Sequence, residues 1–90
     1  MLGLRLSKQA VRFITSRLPK HSRQIAARIQ ALRDDPAPSD SKALKGSSEG
    51  FRRADAGEYR IIYRIDDECL YVAVIGKRND DEVYRRFDRK

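Results

Sequence analysis

Ninety residues with twenty Lys and Arg against thirteen Asp and Glu, a formal net charge of +7, make one small basic domain, near the lower limit of what a single core stabilises without disulfides or metals. A lone cysteine, Cys69, excludes an internal disulfide framework, and a pI near 10.0 points to a polyanion or an acidic protein as partner. No run reaches membrane-spanning length and MLGLRLSKQAVRF lacks the unbroken apolar stretch of a secretory signal, so a cytoplasmic location and no membrane contact are expected.

In chain order, Leu2, Leu4 and Leu6 alternate with Gly3 and Arg5 and predict a short first strand. Ser7 then suits a helix cap, with Ala10, Val11, Ile14 and Leu18 at helical spacing until Pro19 closes the run. A second helix is predicted from about His21 to Arg33 with Ile25, Ala26, Ile29 and Leu32 as its stripe, and neither helix is long enough to stand alone in water. Residues 34–50, DDPAPSDSKALKGSSEG, read as a loop anchored by Leu44, with Lys42 and Lys45 available for phosphate. Two strands over 51–56 and 59–66 flank Gly57 and Glu58, the glycine-first pair of a type II′ hairpin, and a third over 69–75 is apolar on both faces and so is expected to be central or covered on both sides. Asn79 or Asp80 is expected to cap a short last helix carrying Val83, Tyr84 and Phe87. The predicted order is βααβββα in one domain of residues 1–90, an α+β fold with a helical hairpin packed on a small, mainly antiparallel sheet.

Counting back from the Gly57-Glu58 turn sets Asp55 opposite Arg60 and Ala54 opposite Ile61, so Arg53, Asp55 and Arg60 share a face. The face of Arg78 depends on the next turn. A three-residue loop at 66–68 puts Arg78 beside Arg60; a two-residue loop does not, unless a bulge at Gly76 restores the match. Arginine on a rigid strand suits phosphate, because its planar fork meets two oxygens at once and stays charged. Cys69 is expected to be a buried structural thiol and His21 a surface residue.

Taken together, the element order, FRRADAGEYRIIYRID for the hairpin and GKRNDDEVY for the last strand and helix make the chain resemble the RelE/ParE superfamily of toxins from type II toxin-antitoxin systems, in its ribosome-dependent mRNA endonuclease branch. The resemblance spans nearly the whole chain. In that branch the first basic residue of the hairpin, the arginine of G-[DE]-Y-R, the arginine of G-K-R and the tyrosine six residues later line the cleavage site; these positions fall on Arg53, Arg60, Arg78 and Tyr84. The type member has a lysine where this chain has Asp55. Opposite Arg60, Asp55 should be favoured as the carboxylate and weakened as a base, so it is either a poor general base or an ion pair that orients Arg60.

The resemblance implies attack of an mRNA 2′-hydroxyl on its own 3′-phosphate, with the arginines answering the charge that accumulates, no metal or cofactor, and Tyr84 stacking on a base or bonding near the attacking hydroxyl. Lys42, Lys45, Arg52, Lys77 and Arg85 are expected as further RNA contacts, with Arg86, Arg89 and Lys90 completing a basic tail. The implied partners are the ribosome with mRNA in its decoding site and a cognate antitoxin, the toxin being a monomer within a hetero-oligomeric complex. Two other functions stay open: a ParE-like poison of DNA gyrase, and a noncatalytic basic module that binds RNA or its partner.

Overall fold

The computed structural model describes residues 1–46, 49–79, 83, 84 and 87. Its elements are β1 (Gly3–Leu6), α1 (Lys8–Thr15), α2 (Pro19–Asp34), β2 (Lys42–Ala43), β3 (Arg52–Ala56), β4 (Tyr59–Asp66) and β5 (Cys69–Lys77). Ser7 caps α1 as expected, its Oγ accepting from the Ala10 N–H at 3.1 Å. The helix stops at Thr15 rather than running on to Pro19, and Pro19 instead opens α2 at its first turn, where a missing N–H costs nothing. Leu18 therefore lies outside both helices and is 70% exposed, while Val11 also faces outward; Phe13 takes the packing role expected of them. In α2, Ile25, Ile29 and Leu32 are buried, and Ala26 is exposed.

One five-stranded sheet runs in the order β1-β5-β4-β3-β2. β1 is parallel to β5 and the other pairs are antiparallel, so the α+β architecture expected from the sequence holds. β2 is an addition: two residues of the predicted loop pair with β3, Lys42 opposite Arg53. β5 is an interior strand, second in the order and covered on both faces, as its apolar residues required. The helical hairpin packs on one face of the sheet around Ile61, Tyr63, Val72 and Ile75. The other face carries a smaller core of Phe51, Ile62, Ala73, Val74 and Val83, against which Leu44, Tyr84 and Phe87 rest; Val83, Tyr84 and Phe87 have helical backbone. Among the described residues no helix is long and apolar enough to cross a membrane.

The register of β5 resolves the question about Arg78. Asp67 and Glu68 both take positive φ, 57° and 66°, and Asp66 pairs directly with Cys69. That is a two-residue turn of the I′ kind, which alone would send Arg78 to the hairpin face. However, Ile62 pairs with Val74 and Tyr63 with Val72, leaving Ala73 as one extra residue on β5. The alternation of side chains slips there, with Ala73 and Val74 on the same face, and everything after it changes sides. The bulge sits at Ala73, not at Gly76. Arg78 then follows opposite Glu58, its N–H donating to the Glu58 carbonyl at 2.9 Å, on the face of Arg60.

Gly76 has another use. A Cβ there would lie 3.1 Å from the Val83 Cβ, so glycine lets the backbone at Val83 come down onto the sheet. Cys69 is half-buried, its Sγ filling the space beside Gly3. His21 is half-buried too, its ring edge-on to Tyr59 with centroids 5.5 Å apart.

Candidate active site

Three strands and the helical residues above them converge on the face opposite the hairpin. Asp55 of β3 and Arg60 of β4 are direct cross-strand partners, and Arg60 grips Asp55 with its fork: Nε donates to Oδ1 at 2.7 Å and Nη2 to Oδ2 at 3.2 Å. The remaining arm, Nη1, donates to the Tyr84 hydroxyl at 2.7 Å, and Arg53 Nη1 donates to the same oxygen at 3.4 Å. Arg78 stands at the edge, its Nη1 4.0 Å from Asp55 Oδ2 and its side chain 54% exposed. The Arg60 side chain is only 15% exposed. Arg60 is thus the fixed member of the cluster and Arg78 the available one.

The electrostatics follow from these bonds. The hydrogen bonds from Arg60 hold the Asp55 carboxyl below the ordinary value of 3.8; partial burial opposes this, and the charges of Arg60, Arg78 and Arg53 add to it. Arg60 is driven further toward its charged form, first by Asp55, against burial, and then by Tyr84. A carboxylate so placed is a poor proton acceptor near neutrality. Between the two roles the sequence left for Asp55, the geometry favours orienting Arg60. Three of the five guanidinium N–H donors are engaged this way, which leaves two for a ligand, beside Arg78 and Arg53.

An open cleft of about 140 Å³ adjoins the cluster, lined by Asp40, Lys42, Arg53, Ala54, Asp55 and Arg60. Lys42 reaches it because β2 pairs with β3. Asp40 was not anticipated: a hydrogen bond from Arg28 at 2.9 Å fixes it there and holds its carboxyl below the usual range, against a smaller opposing effect of burial. Nothing in DDPAPSDSKALKG marks Asp40 for this place, and Lys42, expected as a phosphate contact, is brought beside Arg53 by a two-residue strand too short to show alternation.

Other candidates are placed elsewhere. Arg52 pairs with Tyr63 and so lies on the hairpin face, where its Nε and Nη2 donate to Ser41 Oγ at 3.3 and 2.8 Å. Lys77, opposite Tyr59, also leaves the sheet on the hairpin side, exposed beside Glu58 and Asn79. Lys45 is exposed in the turn after β2. Arg85, Arg86, Arg89, Lys90 and the possible cap Asp80 lie outside the described residues. Among the described residues no three His, Cys, Asp or Glu side chains gather so as to hold a metal ion.

The family model for the ParE toxin of the type II toxin-antitoxin system parDE matches residues 5–82. The chain belongs to that toxin family. Its fold is similar to that of the archaeal RelE–RelB complex from Pyrococcus horikoshii, at 25% identity over 86% of this chain and 94% of that one, with a TM-score of 0.74. A mutant of the E. coli toxin RelE in the free state is similar at a TM-score of 0.76, 19% identity, and coverage of 98% and 95%. The toxin-antitoxin complex RelBE2 of Mycobacterium tuberculosis follows at 0.71, 24% identity, and 86% and 98%. No curated protein matches the sequence. This toxin thus carries a ParE-family sequence on a fold shared with RelE structures.

Proposed function

We propose that this toxin is a ribosome-dependent mRNA endonuclease. The observation that carries the reading is the convergence of Arg53, Arg60 and Arg78 with Tyr84 on one sheet face, with Arg60 clamped between Asp55 and the Tyr84 hydroxyl. A phosphate seated on Arg78 and the two remaining donors of Arg60 would have its oxygens neutralised as charge builds. The 2′-oxygen attacks the adjacent phosphorus as its proton passes to solvent or ribosomal RNA, the bond to the 5′-oxygen of the next nucleotide breaks, and that oxygen takes a proton from solvent to leave as a 5′-hydroxyl, with a 2′,3′-cyclic phosphate left behind. Preorganised donors act most strongly on that charged transition state. The Tyr84 hydroxyl accepts from two guanidiniums, and its O–H donor is left to meet the RNA. With Asp55 held as a carboxylate on Arg60, no strong base is at hand, so alignment of the mRNA by the ribosome supplies much of the rate.

The partner is a cognate antitoxin in a hetero-oligomeric complex, by analogy with the RelE–RelB and RelBE2 assemblies, and the working place is the cytoplasm. A second reading, a ParE-like gyrase poison, draws on the name of the matching family and on the neutralisation of Arg60 by Asp55. Primer extension on translated mRNA after brief induction separates the two. Cuts within codons that vanish in Arg78→Ala support the nuclease; gyrase-linked DNA breaks over intact mRNA refute it.

A further inference from the structure

The edge of β5 that faces away from β4 is paired with β1 only as far as Val72, which meets Leu6. Beyond that point two side chains stand in for the missing strand. The Ser7 N–H donates to the Val72 carbonyl at 3.0 Å, and Ser7 Oγ donates to the Ala73 carbonyl at 2.6 Å while accepting from the Ala10 N–H. Successive carbonyls of a regular strand point to opposite edges; here two neighbours end on one residue, because the bulge turns them to the same side. Two residues on, the Gln9 amide copies a strand's reciprocal bonds, Nε2 donating to the Ile75 carbonyl at 2.8 Å and Oε1 accepting from the Ile75 N–H at 2.9 Å. The two clamps bracket the stretch where the register shifts.

The hydrophobic pattern of residues 72–75 does not by itself set that register. Val72, Ala73, Val74 and Ile75 are all apolar and all buried, on both faces of the sheet, so within this stretch a slip by one residue exchanges one apolar side chain for another. The slip would also take Gly76 from beneath Val83 and move Arg78 to the hairpin face. We propose that Ser7 and Gln9 are positioning residues for Arg78, holding the bulged register that brings it beside Arg60. The inference rests on the reading that Arg78 and Arg60 act as one cluster.

The test is made on the whole protein with Gln9→Met, which keeps the length and removes both bonds, and Gln9→Glu, which keeps only the bond from the Ile75 N–H. By NMR, the Arg60–Gly76 cross-strand contact should give way in part to Arg60–Ile75, and exchange of the Arg78 amide should accelerate at least about tenfold while the Asp55–Arg60 pairing of β3 with β4 is kept. Cleavage of ribosome-bound mRNA should fall with ribosome association unchanged. Deletion of Ala73 supplies the rescue: it removes the extra residue yet leaves Arg78 opposite Glu58, so Gln9→Met in that background should recover both Arg78 protection and cleavage. A simple edge cap predicts no rescue. Retention of the Arg60–Gly76 register and of Arg78 protection in both Gln9 variants overturns the proposal, as does an unfolded Gln9→Met that the deletion fails to restore. If the wild-type toxin cuts no mRNA, the nuclease reading fails while the NMR register still decides the role of Gln9.

Discussion

Asp55 departs from the residue type expected at its position, and its geometry indicates what the departure does. It occupies the fork of Arg60 at 2.7 and 3.2 Å, a two-point bond that lysine cannot reproduce. Arg60→Lys should therefore behave almost like Arg60→Ala, and Arg78→Ala should lower the cleavage rate by about 10²–10³, as removal of a transition-state donor does; single-turnover cleavage on ribosomes measures both. Tyr84→Phe keeps the packing against the second core and removes an oxygen bonded by Arg60 and Arg53; a loss of roughly tenfold in the same assay and a fall of a few degrees in the thermal midpoint, from the Arg60 donor left unpaired, are expected. For Asp55 the sign of the pH effect is fixed by its lowered pKa. Its ion pair with Arg60 stabilises the fold fully above the unfolded carboxylate value and is lost as pH falls through the lower, folded value. The gap in thermal midpoint between wild type and Asp55→Asn should thus be open at pH 7 and close only below the ordinary value of 3.8; a gap that closes between pH 5 and 7 would contradict the clamp. That Arg53, Asp55 and Arg60 share a face was legible in the sequence, because one two-residue turn at Gly57 fixes their pairing by counting. Asp40 was not, and Lys42 was legible as a phosphate contact but not as a neighbour of Arg53, because that place depends on a strand too short to leave a pattern.

Among the elements, the two hairpins differ in how openly the sequence encodes them. Gly57 takes φ 60°, a conformation glycine adopts without steric cost, and the turn follows from its residues. The second turn places Asp67 and Glu68 in the left-handed region, which costs most for Glu68, so its residues gave no such signal. Replacing Asp67 with Asn and Glu68 with Gly should stabilise the protein by about 1 kcal/mol, read by urea denaturation, because the left-handed strain is relieved. No change, or a loss, would argue that contacts of the Glu68 side chain outweigh the backbone strain. α1 ended earlier and α2 began earlier than periodicity implied. Pro19 is compatible with helix at the first turn and not within one, so the same residue reads as a stop or a start.

For the molecule as a whole, a sheet with a helical hairpin on one face leaves the other face for chemistry, and a smaller core at Val83 and Phe87 leaves the arginines at one end of it open. Four cations gather there, Lys42, Arg53, Arg60 and Arg78. If all four meet a single strand of RNA, affinity for an oligonucleotide should fall about 50-fold between roughly 50 and 200 mM salt; fluorescence anisotropy measures the slope, and a flat response would place the RNA elsewhere. The sequence by itself determined the α+β class, the order of the elements other than β2, the basic character and the Arg53–Asp55–Arg60 face, since composition, periodicity and a glycine turn are local properties. Only the tertiary structure decided the side taken by Arg78. That choice depends on one extra residue at Ala73, in a strand apolar on both faces, where the pattern of residues 72–75 suits either register, and Gly76 beneath Val83 together with hydrogen bonds from Ser7 and Gln9, distant in sequence, accompanies the one adopted.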